Sequence, residues 1–159
     1  MKKELLLLVG ILLAAFLLTA TLFGFENLLP NATFNINIYD TYFVFPSRYA
    51  LIGFMILLIT AAYFVRILFA RFQIQFANIA FLVFNIMLLI CFVLTLDLLA
   101  EFEEVVREKM AKTTSQKMSS SSNKVVANLI ESVYFMIALA VFVKLLVIFK
   151  MRNAQNRNR

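Results

Sequence analysis

Few residues of this chain could do chemistry, and none of them is a histidine. The single cysteine is Cys91, so no disulfide can form within the chain. A zinc site of the usual Cys/His type and a haem held by a protein imidazole are excluded as well. No serine or cysteine has a histidine to serve as its base. The three glycines are scattered and cannot build a phosphate cradle. Cys91 sits in an apolar run, where a buried and unreactive thiol is expected. Glu101, Glu103, Glu104 and Glu108 form an acidic run that reads first as a solvated helix face and only second as a weak cation site. The expectation is no catalytic set, no cofactor and no metal, and hence no enzyme.

The remaining polar residues gain meaning only from the elements that carry them. Apolar residues make up 63% of the 159 residues and charged ones only 15%, well below the quarter usual in soluble domains. The apolar residues fall in blocks that are apolar on every side. Such helices need lipid or a large protein interior around them, and a chain this short cannot supply the latter. Four blocks approach the ~20 residues that cross a bilayer core: 5–23, 49–69, 76–96 and 129–149. The expected fold is one all-α membrane domain, a bundle of four transmembrane helices. The first block, behind Lys2 and Lys3, also has the makings of a signal peptide. It is long for that role and no Ala-x-Ala site follows, so a retained helix is favoured.

Two polar segments connect these blocks. In the first, 24–48, Pro30 and Asn31 read as a turn. Phe34, Ile36 and Ile38 alternate with Asn35 and Asn37, which predicts a short extended piece. Tyr39, Tyr42, Phe43 and Tyr49 are expected at headgroup level, and Pro46 suits the first turn of the next helix. In the second, 97–124, residues 97–112 read as a helix continuing out of the membrane. Glu103–Arg107 and Glu108–Lys112 are i,i+4 pairs there. Residues 113–124 have the composition of a flexible linker, with Asn123 a candidate N-cap for the last helix. The tail, 150–159, is basic and expected to be disordered. The net charge of +6 collects at Lys2, Lys3, Arg66, Arg71, Lys150, Arg152, Arg157 and Arg159. By the positive-inside rule that side is cytoplasmic. Both termini are then inside and both polar segments outside, in a cell (inner) membrane. The clustering suits membrane orientation, and nucleic acid is not an expected partner.

Within this frame Asp97 and Glu131 fall at the outer ends of the third and fourth helices, with Arg48 at the same level on the second. A solvated helix end is the plain reading of both acids, and an Arg48–Asp97 or Arg48–Glu131 pair is the sharper one. Asn85 is the deepest polar residue and is expected to hydrogen-bond between helices. Lys144 can snorkel. Gly53 permits close approach of helices.

The stretch Asn31 to Val44, NATFNINIYDTYFV, resembles subunit I of the haem-copper oxidases in the loop between that family's ninth and tenth helices. A family phrase there is close to N-S-S-I-D-I-V-L-H-D-T-Y-Y-V. Asn31, Ile36, Asp40, Thr41, Tyr42 and Val44 match without a gap. A fainter likeness joins Ala77-Asn78-Ile79-Ala80-Phe81 to the A-K-I-H-F opening of the family's eleventh helix. The resemblance implies an outer loop packed on a helical hairpin. It does not carry over oxidase chemistry. Where the family holds its haem irons with two histidines, this chain has Phe45, Pro46, Ser47 and Arg48, and the family's Lys and His fall on Asn78 and Ala80.

The sequence therefore points to a non-catalytic multi-pass subunit or assembly partner, possible kin of an oxidase. It would contact the lipid bilayer and other membrane proteins, or itself. Asp40, Thr41, Tyr42 and Phe43 form its contact loop and the helix from Glu101 to Lys112 a second contact. The alternative is a carrier or sensor of ions or small molecules that uses Asp97, Glu131 and Asn85, though no internal repeat or broken helix supports it.

Overall fold

A computed structural model of the chain describes residues 2–29, 31–38, 41–70, 72–112 and 116–157. Of these, 2–3, 36–38, 41–43, 106–112, 116–124 and 154–157 are described in backbone only. Four helices carry the fold: α1 (Lys2–Phe23), α2 (Ser47–Phe69), α3 (Gln75–Lys112) and α4 (Gln116–Arg157). All four are long and apolar enough to cross a membrane. In hydrocarbon a backbone must satisfy its own hydrogen-bonding groups, and a helix does so within one segment. The protein is a multi-pass membrane protein built as an all-helical four-span bundle.

Chain connections fix the packing order. Five residues separate α2 from α3 and three separate α3 from α4, too few to retrace a helix length. Each pair therefore packs side by side and antiparallel, with α1 against α2 completing the bundle. The helices meet in a core made by Ala15 of α1, Ile59, Tyr63 and Ile67 of α2, Ala77 and Phe81 of α3, and Val147 of α4. This core lies toward the α2–α3 turn. The α1 contribution is a stripe of small residues, Ala15, Thr19 and Ala20, all buried. Small side chains let helix backbones approach where lipid offers no hydrophobic drive to association. Gly53 does not play this part, since a Cβ there would meet nothing within 4 Å.

Hydroxyls inside the spans fold back on their own helices. Thr19 donates to the Ala15 carbonyl at 2.8 Å and Thr60 to that of Ile56 at 2.7 Å. Thr95 donates to the Cys91 carbonyl and Ser132 to that of Asn128. These bonds keep the hydroxyls satisfied in an apolar surrounding.

At the opposite end from the α2–α3 turn, the first polar segment is more structured than a loop. A short 3-10 turn (Phe25–Leu28) follows α1, then a hairpin of β1 (Thr33–Ile38) and β2 (Thr41–Pro46). The register pairs Thr33 with Pro46 and Ile38 with Thr41. The alternation of Phe34 with Asn35 places the phenyl ring inward and the amide outward. Phe34 meets its cross-strand partner Phe45 at 5.8 Å and Phe23 of α1 at 6.1 Å, and Phe23 packs edge-on to Phe54 of α2 at 5.2 Å. This aromatic cluster seats the hairpin on the bundle. Pro46 closes β2 as the N-cap of α2, one place before the first helical turn.

The second polar segment is also more regular than its composition implies. α3 continues unbroken to Lys112, and α4 already begins at Gln116. Residues 116–124 are thus helical and not a linker, and Asn123 lies inside α4 instead of capping it. Residues 150–157 continue the same helix where disorder was expected. The physical reason lies in the packing: α3 and α4 lie against each other, and a neighbouring helix offsets the weak helix propensity of a serine run. Every glycine and proline of the chain falls within its first 53 residues, so nothing interrupts α3 or α4.

Candidate functional site

The polar groups the structure brings together lie near the α2–α3 turn. Arg66, in the last turn of α2, donates from Nη2 to Oε1 of Glu4, in the first turn of α1, at 2.7 Å. Both side chains are part-buried, Glu4 more deeply than Arg66. One helical turn deeper in the span, Tyr63 is 0% exposed, stacked at 6.0 Å on Phe84 of α3. Its hydroxyl lies within electrostatic reach of both Glu4 and Arg66. Three atoms here find no hydrogen-bond partner within the protein: Glu4 Oε2, Arg66 Nε and Tyr63 Oη.

The turn itself is closed by Asn78. The amide of Phe72 reaches back five residues to the Ile67 carbonyl at 3.1 Å, a C-terminal closure of the Schellman type. Phe72 adopts φ 64°, a left-handed conformation that costs a non-glycine residue about 1–2 kcal/mol. Asn78 Nδ2 donates to the Phe72 carbonyl at 2.9 Å and holds that conformation in place. Asn78 was legible only as an interruption of the third apolar block.

A second polar lock sits at the hairpin end. Ser47, the first residue of α2, is 0% exposed. Its hydroxyl is shared between the carbonyls of Asn27 at 2.6 Å and Ala32 at 3.1 Å, and its amide donates to Ala32 at 3.0 Å. One residue thereby ties the 3-10 turn, the entry to β1 and the start of α2 together.

The residues singled out from sequence are distributed differently. Asp40, with Tyr39, lies outside the described residues. Thr41, Tyr42 and Phe43 are in β2, and their side chains lie outside the description. Arg48 is exposed and forms neither expected ion pair. Its guanidinium stands over its neighbour's ring, 5.2 Å from the Tyr49 centroid. Asp97 and Glu131 are both exposed and stand at one level, each 15 residues from the α3–α4 junction. A shallow depression at Glu131 is lined by Asn128, Ser132, Phe135 and Met136, all of α4. Asn85 is 2% exposed, and its Oδ1 makes no hydrogen bond where an interhelical one was expected. It lies 12 residues from Asp97 along α3, about 18 Å at 1.5 Å per residue. The structure thus does not join Asn85 with the two acids. Among the described residues, no group of three or more Cys, Asp and Glu could hold a metal ion.

Sequence reasoning missed Glu4, Tyr63 and Ser47. The signal for Glu4 was present: an acid opening an apolar run is costly in a membrane unless a cation answers it, and Arg66 falls at the same expected level. Nothing local marks Ser47, whose partners lie 15 and 20 residues away. Comparison with protein-family models, with curated proteins and with solved structures finds no match for this chain.

Proposed function

We propose that this protein is a non-catalytic subunit or assembly partner of a larger membrane complex, set in a cell membrane with both termini in the cytoplasm. The observation that carries this reading is the concentration of structure beyond the bilayer at one end. α3 runs 16 residues past Leu96, about 24 Å, and α4 begins alongside that extension. The β-hairpin stands at the same end, held by Ser47 and the Phe23–Phe34–Phe45 cluster. Ordered segments that project from a bundle with no catalytic set suit recognition of another protein. The Lys and Arg of the termini and of the α2–α3 connection place the opposite end inside.

The resemblance of Asn31 to Val44 to an oxidase subunit I loop makes a respiratory complex the first partner to test. Crosslinking in native membranes, from a photoreactive residue at Thr41 and another at Glu104, reads the partner directly. Oxidase subunits in the crosslinked bands support the oxidase-related reading, and other membrane subunits support the general one. Recovery of the chain alone from both positions overturns both. The carrier reading loses ground because its three residues are not gathered around one path.

A further inference from the structure

The three unpartnered atoms beside the α2–α3 turn form a complementary set. Tyr63 Oη can donate and accept, Arg66 Nε can only donate, and Glu4 Oε2 can only accept. Each has essentially no solvent exposure. Tyr63 as a residue is fully buried, yet its hydroxyl senses both charges of the Glu4–Arg66 pair. An unsatisfied polar group costs several kcal/mol inside a membrane, and three in one neighbourhood would strain the junction that fastens α1 to α2.

We propose that Glu4, Tyr63 and Arg66 form an internal binding site for a small neutral molecule that both donates and accepts hydrogen bonds, namely water. The ion pair is already neutral, so a bound ion would add an uncompensated charge in a region of low dielectric. Water is the smallest molecule that can donate to Glu4 Oε2 while accepting from Arg66 Nε or exchanging a bond with Tyr63 Oη. Three partners match the two to four that buried waters take in proteins. The site links α1 to α2 through solvent as well as through the direct ion pair, and it stands one turn inside the end of the bundle.

The test is the sign of the effect of Tyr63→Phe on thermal unfolding of the full chain in detergent, measured alone and in a Glu4→Gln background. Phenylalanine keeps the ring stacked on Phe84 and removes only the hydroxyl. Loss of a bridged hydroxyl lowers the midpoint by about 2–4 °C, and the loss shrinks by at least half in the Glu4→Gln background, where the shared acceptor is altered. Removal of an unpartnered hydroxyl leaves the midpoint unchanged or raises it, and that result overturns the proposal. An equal fall in both backgrounds also overturns it, because the hydroxyl then acts through something other than Glu4.

Discussion

Arg66 and Glu4 stand 62 residues apart in sequence and 2.7 Å apart in space, so the end of the second span holds the beginning of the first. Glu4 is the more buried partner, and Arg66 has a long stem that can reach headgroups if released. Arg66→Leu, which strands the acid, therefore destabilises more than Glu4→Gln, which leaves a cation able to snorkel. The expected losses are about 2 kcal/mol and about 1 kcal/mol. Thermal unfolding in detergent measures both, and the charge-reversed double variant, Glu4→Arg with Arg66→Glu, recovers part of the loss.

The left-handed Phe72 depends on the Asn78 amide. Asn78→Ala removes that donor and leaves the Phe72 carbonyl without it. The expected cost is about 1–3 kcal/mol, read as a lower unfolding midpoint. Asn78→Asp costs more, since it replaces the donor with a buried negative charge facing a carbonyl.

Ser47→Ala should act locally. It removes the hydroxyl shared by Asn27 and Ala32, at about 1–2 kcal/mol, and frees the hairpin while the spans stay packed. Limited proteolysis within 24–46 should speed up several-fold. Helix content by circular dichroism should hold. Equal loss of both would show that the hairpin and the bundle unfold as one unit.

Arg48→Ala, Asp97→Asn and Glu131→Gln should each shift stability by no more than about 0.5 kcal/mol. All three residues are exposed, and Arg48 contributes only a cation–aromatic contact worth about 0.5–1 kcal/mol at such sites. A large loss in any of the three would reveal a partnership that the fold does not contain.

The four spans were legible because lipid imposes one demand on every residue in turn, and a run such as 76–96 meets it without reference to anything distant. The first half of the hairpin was legible for a similar reason, since the alternation from Phe34 to Ile38 is local. The second strand was hidden, because Thr41 to Pro46 is aromatic and apolar in succession and shows its period only once Phe45 pairs with Phe34. The linker expected at 113–124 failed on the opposite count: four consecutive serines are poor helix formers alone, and α3 lies alongside the helix they enter. Of the polar sites, Asn85 and Arg66 were visible as costly residues in a span. Their surroundings were not, because the Glu4–Arg66 and Asn78–Phe72 relationships are set by how the helices stack.

The absence of any glycine or proline after Gly53 gives the second half of the molecule a mechanical character. A helix bends sharply at proline, at glycine or serine pairs, or where its hydrogen-bond ladder is interrupted; α3 has neither a glycine nor a proline between Gln75 and Lys112. Over a lever of about 24 Å, each degree by which α3 leans in the bilayer swings its far tip by about 0.4 Å. Squeezing or thickening of the surrounding lipid is therefore transmitted to whatever the tip touches, and a partner bound there is coupled to the state of the membrane.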